Sequence, residues 1–306
     1  MKKGLKLIKN SKTLYTKKLN SKAWVADVAY ITHTDCYLLA YKHKIYRKDN
    51  NSEDLYLFLD VYPGSRVGAC LRYSGQNGRV FVANDSDSVK MINFEACSVE
   101  KKIRILGLKN EKIFDFKVYQ ETETSSKVAC LMKDGLIITL QFHFGPKTEN
   151  HPFEIFRQKL PLSTTQTEQA YSLEVCSASK YGFIELITKD GSNYDIVSRY
   201  LIAKIQPKNL EILAEKSLLD ASLPPHLALA SFYVGSDLMI LALSCEKKSK
   251  ASLIWYDSER GVVVVDPRKR VWSGESFPVA VCESGRNFYY FTGWGGGLVR
   301  IGVKAF

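Results

Sequence analysis

The sequence VACLMKDGLIITL at residues 128–140 decides the fold class. Two apolar, β-branched runs flank a Lys-Asp-Gly turn, and Asp-Gly between such runs is typical of a tight β-hairpin. The same Lys-Asp-Gly triplet recurs at residues 189–191, again after a β-rich run. The stretch therefore predicts two neighbouring antiparallel strands, and its recurrence predicts a repeat.

Hairpins of this kind occur six times along the chain. They cover residues 36–47, 79–93, 128–140, 183–200, 237–256 and 287–301. An apolar run before each hairpin predicts a first strand, at residues 24–31, 67–73, 113–119, 171–177, 227–234 and 277–282. A more amphipathic run after five hairpins predicts a fourth strand, at residues 55–61, 102–108, 153–160, 210–216 and 261–265.

The spacing of these units predicts the architecture. Successive first strands begin 43, 46, 58, 56 and 50 residues apart, which compares with about 40 to 50 residues for one four-stranded propeller blade. We therefore expect an all-β, six-bladed β-propeller, with seven blades as the alternative if the longer third or fourth unit contains another blade.

The last unit lacks a fourth strand of its own, whereas residues 5–16 form a strand-like run ahead of the first unit. A radial array of sheets must close on itself to protect its edges. We expect the N-terminal run to be the outer strand of the last blade. The prediction is a single β-propeller domain over residues 1–306, in which residues 1–22 form a lysine-rich closing edge.

Three of the predicted third strands share a pattern, at residues 44–49, 89–93 and 252–257. Asp49 and Asp257 end two of them, where a Trp-Asp dipeptide ends the third strand of a known family. In this pattern the chain resembles the WD40-like β-propellers over essentially its whole length. Trp precedes neither Asp, and no unit has the Gly-His pair of that family.

Positive charge is concentrated at the start of the chain. The formal net charge is +11, and the first 22 residues contain eight lysines and no acid, which leaves +3 for the rest. One interpretation is a solvated edge strand protected by lysines. The alternatives are a contact with nucleic acid or another polyanion and a mitochondrial presequence. The lysines that would contact a polyanion are Lys2, Lys3, Lys6, Lys9, Lys12, Lys17 and Lys18.

The cysteines and the apolar runs indicate a compartment. The seven cysteines are an odd number, lie far apart and form no C-x-x-C pair, which predicts reduced thiols in an intracellular protein and no zinc site. The longest apolar run, residues 238–243, is far shorter than the roughly 18 residues of a membrane helix. We expect a soluble protein without membrane insertion.

Sequence motifs for catalysis are absent. The chain has no G-x-S-x-G, no H-E-x-x-H and no G-x-x-x-x-G-K-[ST], so we expect no cofactor. One alternative rests on Asp27, Asp115 and Glu174, which occupy similar positions in three first strands. First strands line the channel of a propeller, and three carboxylates there could bind a divalent cation. The alternative function is thus a metal-dependent hydrolase or lactonase-like six-bladed propeller.

Aromatic residues favour protein binding. The chain has 15 Phe, 17 Tyr and 4 Trp, and Tyr, Trp and Arg are typical of interface hot spots. The main hypothesis is therefore a non-catalytic scaffold propeller that binds other proteins as a subunit of a larger intracellular assembly. The candidate partner-binding residues in predicted loops are His43, Tyr62, Arg66, Lys133, Lys189 and Trp294.

Overall fold

The structure is a computed structural model. It describes residues 5–16, 25–31, 33–41, 44–49, 51–52, 54–60, 70–74, 78–83, 88–105, 113–132, 134–144, 152–162, 168–175, 180–189, 196–218, 226–234, 237–244, 251–267, 278–284, 287–292 and 297–305. Every regular element within these residues is a β-strand. No helix in this part of the chain is long and apolar enough to span a membrane.

The described strands form six four-stranded sheets, numbered I to VI along the chain. The strand β1 (Leu5–Thr16) precedes sheet I and belongs to sheet VI. Sheet I contains β2 (Val25–Ile31), β3 (Cys36–Tyr41), β4 (Lys44–Asp49) and β5 (Tyr56–Asp60). Sheet II contains β6 (Cys70–Ser74), β7 (Arg79–Ala83), β8 (Ser88–Asn93) and β9 (Ser98–Arg104).

The later sheets repeat this arrangement, with strands adjacent in the order of the chain. Sheet III contains β10 (Ile113–Glu121), β11 (Ser125–Met132), β12 (Leu136–His143) and β13 (Phe153–Lys159). Sheet IV contains β14 (Glu168–Val175), β15 (Tyr181–Lys189), β16 (Ile196–Ile205) and β17 (Leu210–Leu218). Sheet V contains β18 (His226–Val234), β19 (Asp237–Ser244), β20 (Ala251–Asp257) and β21 (Val262–Pro267).

Sheet VI joins the two ends of the chain. It contains β22 (Pro278–Ser284), β23 (Asn287–Thr292), β24 (Gly297–Ala305) and β1. The strand β1 pairs antiparallel with β24, from Leu5 opposite Ala305 to Thr16 opposite Gly297. The predicted role of the N-terminal run as the outer strand of the last sheet is thus confirmed.

The sheets share their irregularities as well as their strand order. In sheets I to IV a one-residue bulge interrupts the outer strand at its third or fourth residue: Phe58, Glu100, Ile155 and Leu213. A bulge adds one residue to one strand and increases the local twist. Since the bulges recur at equivalent positions, these sheets are structural repeats, not four unrelated meanders.

Contacts along the chain divide it into two compact units. The first unit comprises residues 1–71, 226–257 and 264–306, and the second comprises residues 72–225 and 258–263. In the second unit, sheets III and IV share one apolar core. Its buried side chains include Leu131 and Ile137 from sheet III and Leu173, Ile184 and Leu201 from sheet IV. In the first unit, the described core of sheet I contains Ala29 and Ile31 of β2, the five consecutive buried residues 36–40 of β3 and Ile45 of β4.

One strand boundary differs clearly from the sequence prediction. The fourth strand of sheet II begins at Ser98, not at residue 102. A tight turn precedes it, in which the Ala96 amide donates to Asn93 Oδ1 at 3.0 Å and Cys97 has a φ of 48°. The strand therefore begins in the polar sequence Ser-Val-Glu, which apolar periodicity does not detect.

Candidate functional site

Most of the predicted partner-binding residues lie outside the described residues. This applies to His43, Tyr62, Arg66, Lys133 and Trp294. Lys189 is the last residue of β15, and its side chain also lies outside what is described. Their role in binding therefore stays a prediction.

The side chains of the predicted polyanion-binding lysines also lie outside the described residues. Three of them lie on β1, where only the backbone is described: Lys6, Lys9 and Lys12. The others lie outside the described residues: Lys2, Lys3, Lys17 and Lys18. The backbone of β1 places three lysines on an outermost strand, which fits the interpretation of a protected edge.

The three carboxylates of the metal hypothesis lie on first strands, as predicted. Asp27 is on β2 opposite Ala40, and its side chain lies outside the described residues. Asp115 and Glu174 are on β10 and β14, the first strands of sheets III and IV. The structure brings these two strands together through contacts of both acids.

Both oxygens of Asp115 accept backbone hydrogen bonds. The Phe116 amide donates to Oδ1 at 2.8 Å, within β10. The Leu173 amide donates to Oδ2 at 3.2 Å, from β14. A carboxylate that accepts amide N–H groups makes charge-assisted hydrogen bonds, which are stronger than neutral ones. Asp115 is therefore a bridge between the first strands of two sheets.

Glu174 forms an ion pair across the same two strands. Its Oε2 lies 2.8 Å from Lys117 Nζ, and the two side chains are only 12% and 15% exposed. Lys117 follows Asp115 by two positions, so both point to the same side of β10. The sequence Phe-Asp-Phe-Lys already places a lysine two residues after Asp115, which predicts that both side chains lie on the same face of the strand.

Asp115 and Glu174 thus hold two sheets together, whereas the Asp27 side chain lies outside the described residues, so the three-carboxylate metal site stays a prediction. The Lys117 ammonium already neutralises Glu174, and a divalent cation would have to displace it. Within the described ranges, no group of three or more His, Cys, Asp or Glu side chains is placed to hold a metal ion.

These contacts predict the response to metal and to mutation. We expect millimolar Ca²⁺ or Mg²⁺ to leave the melting temperature unchanged, since a bound cation would raise it by mass action.

We expect Asp115→Ala to lower the free energy of unfolding by about 2 kcal/mol, because it leaves the partly buried Leu173 amide without its acceptor. Thermal and urea unfolding check both results. A metal-dependent rise in wild-type melting temperature that Asp115→Ala abolishes would contradict this interpretation.

The two buried cysteines that the structure describes, Cys36 and Cys130, are not activated nucleophiles. Cys36, Cys97 and Cys130 are free thiols, as predicted for an intracellular protein. Burial raises the pKa of the Cys36 and Cys130 thiols, and the thiolate is the nucleophilic form. Burial therefore disfavours the nucleophilic thiolate at both residues, and Cys36 Sγ also lies 3.2 Å from Thr34 Oγ1 in a hydrogen bond.

Large exposed apolar side chains have a common position in the repeat. All those found in the described part of the chain lie at the first or second residue of a fourth strand, in sheets I, II, III and V: Tyr56, Leu57, Val99, Phe153 and Val262. This is the end of each sheet next to the turn between its third and fourth strands. Apolar periodicity does not identify these exposed residues, because it indicates only an amphipathic edge for each fourth strand.

Comparisons with known proteins rest on structure alone. No family model matches the sequence, and no curated protein matches it either. The structure is similar to the RRP9 WD40 repeats with a TM-score of 0.58 at 8% identity, covering 98% of this chain and 100% of that one. This chain has the fold of a WD40-type β-propeller.

Two further solved structures agree with this WD40-type fold. The β-propeller domain of Vanderwaltozyma polyspora Nup133 matches with a TM-score of 0.59 at 9% identity, covering 90% of this chain and 82% of that one. A chain of the mitotic checkpoint complex matches with a TM-score of 0.58 at 9% identity, covering 95% and 90%.

Within this WD40-type propeller, an arginine connects the strands of sheet IV. Arg199 on β16 donates from Nε and Nη2 to the two oxygens of Glu168 on β14, at 2.9 and 2.8 Å. It also donates to Glu215 at 3.4 Å and to the Pro161 carbonyl ahead of the sheet. The Glu168 side chain is 3% exposed. The network is a partly buried ion pair, in which Arg199 is 19% exposed, and it joins three strands and the preceding connection.

A glutamine joins the outer strands of sheets III and IV. Gln158 Nε2 donates to the Leu210 carbonyl at 2.9 Å, and the Leu210 amide donates to Gln158 Oε1 at 2.8 Å. The side chain amide thus satisfies both backbone groups of a residue that is 4% exposed. Such paired contacts make the two sheets a rigid support.

Proposed function

We propose that the protein is a non-catalytic scaffold, a propeller that binds partner proteins as a subunit of a larger intracellular assembly. One observation carries the proposal: the large exposed apolar side chains of the described residues share one position in the repeat, next to the turn before the fourth strand. A contiguous exposed apolar patch is typical of a protein-binding surface, and Tyr56 and Leu57 are adjacent on β5.

The internal chemistry supports the same function. Asp115 and Glu174 are engaged between strands, and the described buried thiols are inert. The fold neighbours add support, because one of them is a chain of the mitotic checkpoint complex, a multi-protein assembly. Fold alone does not determine function, so the surface side chains carry the argument.

The mechanism is the presentation of surface groups on rigid sheets. Ion pairs and side-chain amides fix sheets III and IV, so that a partner binds without a large ordering cost. We propose a single propeller domain over residues 1–306. We also propose that its loops bind partners through His43, Tyr62, Arg66, Lys133, Lys189 and Trp294.

Affinity purification of the tagged full chain from its own cells tests this function. We expect partner proteins in a fixed ratio at moderate salt, and their loss in a variant with Arg66→Ala and Trp294→Ala. A variant with lysine to glutamine substitutions in residues 1–22 should keep them. Loss of all partners in that lysine variant, with a steep dependence on salt, would instead favour polyanion binding. Recovery of the tagged chain alone would contradict the scaffold proposal.

A further inference from the structure

A buried lysine organises the turn between β4 and β5. Lys48 is 5% exposed, and its Nζ donates to the Asp49 carbonyl at 2.9 Å and to the Ser52 carbonyl. Burying an ammonium group is costly unless hydrogen bonds replace its water. These carbonyl contacts therefore connect the buried amine to the backbone of an exposed turn.

Further hydrogen bonds fix the same turn. The Ser52 amide donates to the Asp49 carbonyl at 3.2 Å, and the Asp54 amide donates to Ser52 Oγ at 3.0 Å. Arg47 Nε donates to Asp49 Oδ1 at 2.7 Å. A turn held by side chains on both sides enters a complex already ordered, which lowers the entropic cost of binding.

This turn leads into the two adjacent exposed apolar side chains of sheet I. Tyr56 and Leu57 are 50% and 54% exposed at the start of β5. Exposed carboxylates lie at the two ends of this pair, from Asp54 and Asp60. We name Asp54, Tyr56, Leu57 and Asp60 the β5 surface. It combines two exposed apolar side chains with the exposed carboxylate of Asp54 at one end, while Asp60 at the other end lies opposite Lys44 of β4.

The outer strand β5 lacks the cations that occur on the outer strands of sheets II, III and IV, a feature that it shares with β21 of sheet V. Its sequence, Tyr-Leu-Phe-Leu-Asp, contains no lysine or arginine. The outer strands of sheets II, III and IV each contain at least one, for example Lys101, Arg157 and Lys216. Lysine on an edge strand discourages pairing with another chain. The edge of sheet I is therefore the one of these four that is open to an incoming strand.

We propose that the β5 surface binds a short extended segment of a partner protein, in which apolar side chains alternate with lysine or arginine. An outermost strand offers backbone hydrogen bonds to an extended segment, and side chains on it determine specificity. The exposed Asp54 carboxylate, which accepts a hydrogen bond from the Tyr56 hydroxyl at 3.4 Å, attracts the cations. The bulge at Phe58 interrupts the edge, so the paired segment is short. This inference rests on the proposed function and names the chemistry of one partner.

A peptide measurement tests the inference directly. The probes are a short fluorescein-labelled peptide that alternates leucine with lysine and a second peptide with glutamate in place of lysine. Fluorescence anisotropy with the full chain gives both affinities. We expect the lysine peptide to bind about tenfold more tightly than the glutamate peptide, and Tyr56→Ala with Leu57→Ala to weaken its binding by about tenfold.

Two further variants distinguish binding at the β5 surface from nonspecific binding elsewhere on the protein. Phe153→Ala removes a side chain that is 66% exposed at the equivalent position of sheet III, and we expect unchanged binding. Asp54→Lys reverses one exposed charge, and it should weaken the lysine peptide and strengthen the glutamate peptide. Equal binding of both peptides to the wild type, or wild-type binding of the lysine peptide by the Tyr56 and Leu57 variant, would overturn the inference.

The same variants distinguish this inference from the scaffold proposal in cells. Loss of a partner from the Tyr56→Ala and Leu57→Ala chain, but not from the Phe153→Ala chain, supports the β5 surface. An intact assembly with both variants overturns the β5 surface and leaves the scaffold function standing. A wild-type chain without partners overturns the scaffold function. In that case the peptide affinities alone test whether the β5 surface binds an extended segment.

Discussion

Replacing Arg199 by Met lowers the free energy of unfolding by about 3 kcal/mol, the largest loss that we expect from a single substitution. The guanidinium makes two hydrogen bonds to Glu168, whose side chain is 3% exposed. Removing the arginine leaves that carboxylate buried without its cation, and it also removes the contact with the Pro161 carbonyl. Urea denaturation followed by circular dichroism measures the loss.

A matched arginine provides the control. Arg157 pairs with Glu154 at 2.8 Å, but these side chains are 32% and 41% exposed, and exposed pairs contribute about 0 to 1 kcal/mol. Arg157→Met should therefore have little effect. Adding Glu168→Leu to Arg199→Met should recover part of the stability, because it removes the buried charge. Equal losses for Arg199→Met and Arg157→Met would contradict the buried network.

Gln158→Ala should lower the free energy of unfolding by about 2 kcal/mol. The substitution leaves both the amide and the carbonyl of Leu210 without the side chain that pairs with them. Because Leu210 is buried, water does not readily replace these hydrogen bonds.

The control for this variant is Gln206→Ala. Gln206 Nε2 donates to Glu211 at 2.8 Å in an exposed turn, where water replaces the lost hydrogen bond. Chemical denaturation of both variants under the same conditions checks the difference. Equal losses of stability in the two variants would contradict the larger contribution that we assign to the buried contact between sheets III and IV.

Much of the strand order could be predicted from the sequence, because a two-residue alternation and tight turns are local signals. The hairpin at residues 128–140 is an example, since its Asp-Gly turn lies between β11 and β12. The N-terminal pairing followed from the missing fourth strand. The bulge at Glu100 could not be predicted, because register depends on the partner strand and not on the strand itself.

The first strands of the candidate site were predictable, but the positions and roles of their acids were not. Asp115 is the third residue of β10, whereas Glu174 is the seventh of the eight residues of β14, so the two acids do not occupy equivalent positions. An alignment of first strands could not show that the Leu173 amide and the Lys117 ammonium occupy these carboxylates, since both contacts cross between sheets. The exposure of Tyr56 and Leu57 was not predicted from the sequence. Their apolar side chains suggested burial, and only the structure shows them exposed.

The mass of the native particle tests the central claim most directly. Native mass spectrometry of the tagged full chain, purified gently from its own cells, would compare the particle with the 34.6 kDa of the chain alone. The scaffold account predicts a larger particle that contains this chain and other proteins in a fixed ratio. A particle with the mass of the chain alone, or of copies of this chain only, would contradict it.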